Sequence, residues 1–263
     1  MDQLNEELMK IAGIIAEYNP FHNGHLYHIE ETRRLSGCDF IVVAMSGSFV
    51  QRGEPAIFDK WSRAEMAVQA GADLVLELPY VFTVRSAQYF AAGGVRLLNS
   101  LGGISHLSFG AEHADLDVLT RLAEAVDEEE TIRSARDHLS RGITYASGLG
   151  HALADRTGLS AEIIASPNNI LAIEYLRSIR RFAPSLIPFP VKRRSAAYHD
   201  PDINGSIASA TAVRKALIQG AVASAETAIP PESASLVRAL LTCGEGPVEY
   251  SAFSQNILAV LRL

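Results

Sequence analysis

The sequence predicts an α/β fold with a doubly wound parallel sheet, a helical insertion and a helical C-terminal part. Short apolar runs alternate along the chain with segments whose apolar residues recur at helical spacing. Such alternation implies parallel strands joined by right-handed helical crossovers. Polar residues also gather directly after the first apolar run, and ligands of open α/β sheets bind at the carboxyl ends of the strands.

The apolar runs have the length and composition of buried strands. The predicted strands are Ile11–Ala16, Phe40–Met45, Asp73–Leu78, Ile104–Phe109 and Leu186–Val191. Between them lie amphipathic patterns that are typical of helices packed on a sheet. The predicted helices are His25–Leu35, Lys60–Ala70, Ala87–Leu98, one long stretch from Leu116 to about Arg156, Asn169–Phe182, Ala210–Gln219 and Ser233–Thr242.

The long helical stretch interrupts the alternation and predicts an insertion at about residues 115–157. A break at Pro230-Pro231 lies near the boundary between a predicted first domain, residues 1–225, and a helical C-terminal region, residues 226–263. The last segment, Phe253–Leu263, reads as an apolar helix without a cap or a polar tail. Because such a helix needs a partner surface, it either packs back on the domain or the chain is part of a longer protein, and we favour the second.

Composition indicates a cytoplasmic enzyme without a membrane segment. The chain has 263 residues, of which 48% are hydrophobic, but no apolar run is long enough to cross a bilayer. The stretch Met1–Lys10 lacks the pattern of a signal peptide. Cys38 and Cys243 are too few for a disulfide framework or a zinc site, so we predict no protein metal ligands. The formal charge of −7 argues against indiscriminate coating of nucleic acid.

Charge is nevertheless unevenly distributed. The stretch Arg177–Arg194 contains six basic and no acidic residues, whereas Glu112–Glu130 contains eight acidic residues and one arginine. The acidic stretch is predicted to be a solvated helix face. The basic stretch is either such a face or a phosphate contact.

The motif His22-Asn-Gly-His25 follows the first predicted strand and opens the first predicted helix. The amino end of a helix offers unpaired N–H groups to anions, and histidines can add donors aimed at a phosphate. Gly24 permits close approach of the backbone. The placement therefore predicts a nucleotide-binding site.

A second motif, Ser209-Ala-Thr-Ala-Val-Arg214, joins a polar loop to a predicted helix. Ser209 is a candidate N-cap. Hydroxyl and N–H groups at this helix start can hold the outer phosphates of a nucleotide, and Arg214 can add a charge-assisted contact to the same oxygens.

Together the motifs resemble the signature of the HIGH-type nucleotidyltransferase superfamily, whose Rossmann-like sheet matches the predicted fold. More narrowly, the chain resembles the tRNA(Met) cytidine acetate ligase family. The matching blocks are Ala16–His28, Met45–Ala56, Phe58–Met66, Ser108–Glu112, Ser166–Leu171 and Lys192-Arg-Arg through Tyr198-His-Asp200. Members of this family usually continue well beyond the position of Leu263.

The resemblance implies an ATP-dependent ligase that activates acetate as acetyl-adenylate, releases pyrophosphate and acetylates N4 of the wobble cytidine of elongator tRNA(Met). Acetate attacks an anionic α-phosphate, so such an enzyme must neutralise the charges of both reactants and of the leaving pyrophosphate. Positioning and electrostatics suffice for this step, without a covalent enzyme intermediate. Mg²⁺ is expected with ATP, and no oligomeric state is predicted.

Residue by residue, the resemblance implies an ATP-binding loop in which His22 and His25 donate to the α- and β-phosphates. Its members are Ile15, Ala16, Glu17, Tyr18, Asn19, Pro20, Phe21, His22, Asn23, Gly24, His25, Leu26, Tyr27 and His28. The other implied nucleotide contacts are Gly110, Asn168, Asn169, Arg193, Arg194, Ser209 and Thr211. Taken without the resemblance, Gly110 is equally a turn residue, and the asparagines are equally a helix cap beside Pro167. The predicted catalytic residues are His22, His25, Lys60 and Arg214.

The block Gln51–Arg63 is the most distinctive and the least explained. Lys60 and Arg63 lie on one face of a predicted helix, so both could reach one anion. The alternative is a solvated face with Trp61 packed beneath it, and Asp59 and Ser62 as the start of the helix. We favour a substrate role, in which the block meets acetate, pyrophosphate or cytidine.

Two further functions remain open. The first is an adenylyltransferase for a small phosphorylated acceptor, which would not be expected to share the block Gln51–Met66. The second is a truncated, noncatalytic nucleotide-binding module, which the apolar end of the chain favours and the intact pair of histidines disfavours.

Overall fold

The structure, a computed structural model, describes residues 9–140, 142–194, 203 and 205–262. Five parallel strands form one sheet in the order β3-β2-β1-β4-β5. Their bounds are β1 Ile11–Ala16, β2 Phe40–Ser46, β3 Leu74–Leu78, β4 His106–Ala111 and β5 Ile187–Lys192. Strand β1 lies at the centre, where the chain order reverses, so its carboxyl end opens into the crevice where doubly wound sheets bind ligands.

Helices cover both faces of the sheet. Their bounds are α1 Asn23–Ser36, α2 Lys60–Gln69, α3 Tyr80–Thr83, α4 Ala87–Ser100, α5 Leu116–Ala125, α6 Glu129–Ser140, α7 Tyr145–Thr157, α8 Ala161–Ala165, α9 Pro167–Phe182, α10 Ala210–Ile218, α11 Val222–Glu226, α12 Pro231–Cys243 and α13 Ser254–Leu261. A 3₁₀ turn, Tyr250–Phe253, precedes α13. Among the described residues, no helix combines the length and the apolar character needed to cross a membrane.

The alternation of side chains along the strands divides the core into two layers. In β2, Ile41 and Val43 face one buried cluster, while Val42 and Ala44 face the other. Because both faces of a strand with this pattern are buried, β2 reads as a continuous apolar run. The predicted doubly wound α/β fold is confirmed.

The predicted strands agree with the structure to within two residues, whereas the long helical stretch is corrected. It consists of three helices, α5, α6 and α7. Gly142, at φ 83°, lies before the last of them, and Thr144 caps that helix by accepting a hydrogen bond from Ser147 N at 3.3 Å. The pattern also missed α3, α8 and α11, which have only four or five residues each and are too short to establish a helical period.

Helix α12 packs into the same buried cluster as the sheet. Ala234, Val237 and Leu240 belong to the cluster that contains Ile14 and Met45. In contrast, Val260 and Leu261 of α13 are 72% and 76% exposed. The proposed boundary at residue 226 stays a prediction, and α12 shares its core with the residues before it.

Candidate active site

A cavity of about 490 Å³ lies at the carboxyl ends of β1, β4 and β5. Its volume is in the range of pockets that bury small molecules. The segment after β1, the starts of α9 and α10 and the end of β5 complete its wall. The cavity therefore brings together the two predicted motifs, which lie far apart in the sequence.

His22 and His25 form the part of the wall where α1 begins. Nδ1 of His22 accepts from Gly24 N at 3.0 Å, and Nδ1 of His25 accepts from His22 N at 3.3 Å. The two rings stack with their centroids 3.7 Å apart. An Nδ1 that accepts a hydrogen bond carries no proton, so the neutral rings hold their proton at Nε2. The arrangement leaves each ring with an Nε2–H donor.

Both imidazoles are neutral near pH 7. Burial, followed by the nearby charges of Arg193 and Arg214, lowers the pKa of His22 to about 3. The pKa of His25 also lies well below its usual value. The main cause is burial, and the charges of His22 and Arg193 contribute less. The pair therefore offers hydrogen bonds without adding positive charge, and arginines must supply the charge.

Gly24 provides the space that the His22 ring occupies. A Cβ atom at position 24 would lie 2.8 Å from Cε1 and 3.0 Å from Nδ1 of His22. Gly24 was predicted to allow close approach of a phosphate to the backbone. The structure adds that it permits the stacked placement of His22.

Two arginines hold the backbone of the segment before the histidines. Arg63 Nη1 donates to Glu17 O at 2.5 Å, and Arg214 Nη1 donates to Asn19 O at 2.9 Å. Between these carbonyls, Tyr18 adopts φ 47°, a region that non-glycine residues rarely enter. The arginines thus stabilise a backbone turn that brings His22 over the cavity.

The structure places neither Lys60 nor Arg63, for which an anion-binding role was predicted, on the cavity wall. Arg63 is 0% exposed and also donates to the carbonyls of Phe58, Ser46 and Gly47. Lys60 does not line the cavity, and its Nζ pairs with Glu77 at 2.5 Å. Trp61 does not pack beneath the helix, because it is 75% exposed. Asp59 is the N-cap of α2, as the alternative interpretation held.

The second motif has the predicted geometry. Ser209 caps α10 by accepting from Ala212 N at 3.1 Å. Arg214 also donates to Thr211 Oγ1 at 3.2 Å. Ser209, Thr211 and Arg214 all line the cavity, so the two motifs share one wall.

The ends of β4 and β5 and the start of α9 form another side of the cavity. A Cβ at Gly110 would lie 3.2 Å from Cγ of Arg193, so this glycine makes room for the arginine. Glu112 accepts from Asn168 Nδ2 at 2.6 Å and from Asn169 N at 3.0 Å. This carboxylate caps α9, a role that no motif predicted, and its position directly after a strand was the available signal.

The structure separates the two candidate asparagines. Asn168 lines the cavity, whereas Asn169 is 0% exposed and does not. Oδ1 of Asn169 accepts from His113 N at 3.0 Å, and its Nδ2 donates to Ile163 O at 2.8 Å. Both ends of the Asn169 amide are thus used inside the protein, so that of the two asparagines the structure places Asn168 on the cavity. Arg193 and Arg194 line the cavity, and the Arg194 guanidinium lies 4.5 Å from the Tyr27 ring centroid.

Not every residue of the predicted loop reaches the cavity. Phe21 is 0% exposed and belongs to the core, where Leu26 packs against the same cluster. Asn23 Nδ2 donates to Ser206 O at 2.7 Å. Pro20, Phe21, Asn23 and Leu26 therefore shape the loop from behind. The loop residues on the cavity wall are Ile15, Ala16, Glu17, Tyr18, Asn19, His22, Gly24, His25, Tyr27 and His28.

Glu17 connects the loop to the block that begins at Gln51. Its Oε1 accepts from Gln51 N at 2.8 Å. Burial raises the pKa of Glu17, and the hydrogen bond from Gln51 together with nearby arginines offsets part of this effect. Gln51, Arg52 and Glu54 line the cavity, so the front of the distinctive block faces the site while Lys60 and Arg63 do not.

The basic stretch is not a continuous basic surface. Arg177 Nη2 pairs with Asp127 at 2.5 Å, Arg177 Nη1 pairs with Glu174 at 2.8 Å, and Arg180 also pairs with Asp127. The acidic stretch is accordingly not a purely solvated face. The matching block Tyr198-His-Asp200 lies outside the described residues.

Fold and site define a class: an α/β protein with a phosphate-binding geometry at the switch point of a parallel sheet. The model of the HIGH nucleotidyl transferase family matches residues 9–262, and the chain belongs to this family.

Relatives whose function is named place the chain more narrowly within this family. The tRNA(Met) cytidine acetate ligase of Caldanaerobacter subterraneus subsp. tengcongensis is 43% identical over 258 residues, 97% of this chain and 64% of that protein. The protein of the same name from Acetivibrio thermocellus is 43% identical over 263 residues, 97% of this chain and 63% of that protein. The chain thus spans less than two thirds of the length of these relatives.

Two solved structures have the same architecture. Thermotoga maritima TmcAL in its apo form matches with a TM-score of 0.89 at 34% identity, covering 97% of this chain and 62% of that one. The same protein bound with alpha-thio ATP matches with a TM-score of 0.86 at 32% identity, covering 97% of this chain and 61% of that one.

Proposed function

We propose that the chain binds ATP in the cavity, forms acetyl-adenylate from acetate with release of pyrophosphate, and serves acetylation of N4 of the wobble cytidine of elongator tRNA(Met). The similarity to tRNA(Met) cytidine acetate ligases supports the choice of acetate and tRNA. The structure of a relative with an ATP analogue supports the choice of nucleotide.

The observation that carries the proposal is the pair of Nε2–H donors of His22 and His25, which line the same cavity as the start of α10. The phosphates of ATP need donors and positive charge that are already in place when pyrophosphate leaves. The neutral histidines supply the donors, and Arg214 at the same wall supplies charge. Acetate needs no activating base, because its carboxylate is already ionised near pH 7.

A Mg²⁺ ion would enter with the ATP phosphates. Mg²⁺ prefers oxygen ligands, whereas nitrogen donors form the phosphate side of the wall. Within the described ranges, no group of three or more His, Cys, Asp or Glu side chains is placed to hold a metal ion. The residues therefore do not fit a resident magnesium site.

The test is acetate-dependent exchange of labelled pyrophosphate into ATP, catalysed by the chain with and without tRNA. We expect exchange that requires acetate and falls by about 100-fold or more in His25→Ala, because loss of one donor to developing charge costs about that much. His25→Gln, which keeps a terminal N–H, should retain more exchange than His25→Ala.

His151→Ala is the matched control, because His151 is an exposed histidine on α7. It should exchange as the wild type does. Exchange supported by a small phosphorylated acceptor instead of acetate would replace the ligase by an adenylyltransferase. ATP binding without any exchange would leave a noncatalytic nucleotide-binding module.

A further inference from the structure

A chain of three hydrogen-bonding side chains lies beside the cavity, between α1 and β4. Nε2 of His28 lies 2.9 Å from Oγ of Ser108, and this Oγ lies 2.6 Å from Oγ1 of Thr32. Thr32 Oγ1 also lies 2.7 Å from the backbone oxygen of His28. Thr32 and Ser108 are 0% and 1% exposed, so water does not compete for these contacts.

The positions of the protons in this chain follow from donor counting. A carbonyl oxygen can only accept, so the single hydroxyl proton of Thr32 goes to the His28 carbonyl. The contact between the two hydroxyls then requires Ser108 to donate to Thr32. With its proton used, Ser108 can only accept from the ring, so Nε2 of His28 carries the proton.

The other ring nitrogen of His28 is available to a ligand. His28 lines the cavity, and its Nδ1 has no hydrogen-bond partner within the described part of the chain. Nδ1 is not among the buried polar atoms without a partner, so it is accessible from the cavity. Burial, followed by the charge of Arg193, lowers the pKa of His28 to about 4, which keeps Nδ1 unprotonated near pH 7.

We propose that Thr32 and Ser108 are positioning residues that hold His28 in the Nε2–H tautomer, so that its Nδ1 accepts a hydrogen bond from a neutral donor on the nucleoside. The donor is a ribose hydroxyl or the adenine amino group. The inference rests on the proposed function, since it takes ATP as the ligand.

His28 thereby differs from the two histidines earlier in the same segment. The rings of His22 and His25 use Nδ1 inside the protein and present Nε2–H, whereas His28 uses Nε2–H inside and presents Nδ1. A phosphate oxygen has no proton to donate to Nδ1 near pH 7, so it would repel this lone pair. His22 and His25 serve the phosphates, and His28 belongs to the nucleoside part of the cavity.

The binding test compares ATP with three analogues that each lack one donor. They are 2′-deoxy-ATP, 3′-deoxy-ATP and the triphosphate of purine riboside, which has hydrogen in place of the amino group. By calorimetry, we expect the wild type to bind one analogue about tenfold more weakly than ATP, as for the loss of one hydrogen bond to a buried partner. His28→Phe keeps the ring volume and should bind that analogue and ATP equally. The inference is overturned if the wild type binds all four alike, or if His28→Phe retains the discrimination.

The tautomer itself is measured by ¹⁵N NMR of the imidazoles, first in the wild-type chain and then in a variant. We expect His28 to show a protonated Nε2 and an unprotonated Nδ1, and Ser108→Ala to lose this signature. Ser46→Ala is the matched control, because its buried strand hydroxyl has no partner. A protonated Nδ1 in the wild type, or an unchanged signature in Ser108→Ala, contradicts the inference. Absence of acetate-dependent exchange would count against the ligase function alone, since both measurements need only ATP or no ligand.

Discussion

The three histidines of the segment after β1 act as neutral rings whose function depends on which nitrogen carries the proton. Each ring has one nitrogen bonded inside the protein, which fixes the nitrogen that faces the cavity. Positive charge in the cavity comes instead from arginines such as Arg193 and Arg214, which line it. Under the proposed function, the donors and the charge for the phosphates are thus supplied by different residues.

Burial of neutral histidines makes stability depend on pH in a predictable direction. The folded-state pKa of His22, about 3, lies below the value of about 6.5 expected for the unfolded chain. The unfolded state therefore binds the proton first, so stability is complete above pH 6.5 and is lost as the pH falls toward 3. Between pH 7 and pH 5, His22 should account for a loss of about 2 kcal/mol in the free energy of unfolding.

Urea unfolding at the two pH values checks this expectation, with His22→Asn as the test variant. Asparagine can still cap α1 but does not titrate, so the difference between pH 7 and pH 5 should shrink by about 2 kcal/mol relative to the wild type. His151→Asn, at an exposed position, should leave the difference unchanged. An equal pH dependence in His22→Asn and the wild type would contradict the assignment.

The sequence predicted that His22 and His25 act together but not their tautomers. Spacing after a strand identifies the segment, because the topology places strand ends at a ligand crevice. The tautomers depend on backbone N–H groups that point at the rings only once α1 has formed. The sequence could not tell which of Asn168 and Asn169 faces the cavity. Asn168 faces it, whereas one step along the start of α9 turns the side chain of Asn169 into the core.

Helix α2 supports the site without lining the cavity. Its buried Arg63 donates to carbonyls after β1 and at the end of β2, namely those of Glu17, Ser46 and Gly47. Burial lowers the pKa of Arg63 to about 10, so the guanidinium stays charged near pH 7. Bonds from a charged donor to several carbonyls fix the two strand ends relative to each other.

Replacement of Arg63 by methionine should therefore destabilise the protein strongly. Several buried carbonyls would lose their donor, and each unsatisfied group costs about 1–3 kcal/mol, so we expect the free energy of unfolding to fall by about 3 kcal/mol or more. ATP affinity should fall as well, since the segment before His22 loses an anchor. Chemical denaturation followed by calorimetry measures both effects.

Arg34→Met provides the comparison on another helix. The Arg34 side chain is 63% exposed and pairs with Glu31 one turn away, so its loss should leave the free energy of unfolding nearly unchanged. If both methionine variants lost similar stability, Arg63 would not be the anchor described here. Arg63→Lys should not restore the wild-type value, because one ammonium cannot reach carbonyls on both strands.

The periodicity of α2 identified a helix but not the face that other elements cover. Lys60 and Arg63 share one side of the helical pattern. Lys60 nevertheless pairs with Glu77, whereas Arg63 is enclosed by the strand ends. Sequence pattern cannot distinguish these environments, because a buried arginine is compatible with the core only when its donors find acceptors from distant segments. The doubly wound parallel class of the sheet, in contrast, followed from local alternation and general connection rules, whereas the order of its strands came from the structure.

At the scale of the molecule, long-range ion pairs join segments whose charges looked independent in the sequence. Asp127 follows α5, and it pairs with both Arg177 and Arg180 on α9. The helical insertion is thus tied to the sheet domain by charge as well as by the buried cluster that contains Leu122 and Leu176. The net charge of the chain does not reveal these ion pairs, because opposite charges from distant segments cancel locally.

The shared core of α12 and the sheet predicts how the protein unfolds. Because Val237 and Leu240 are buried with Ile14 of the central strand, residues 231–243 should unfold together with the residues before them in one thermal transition.

ATP at about 100 times its Kd should stabilise the folded state by about 2.7 kcal/mol. For a chain of this size, that shifts the midpoint by about 5–10 °C. Differential scanning calorimetry should show one peak that moves as a whole. A second peak insensitive to ATP and abolished by Val237→Asp would instead establish the independent C-terminal unit that the Pro230-Pro231 break suggested.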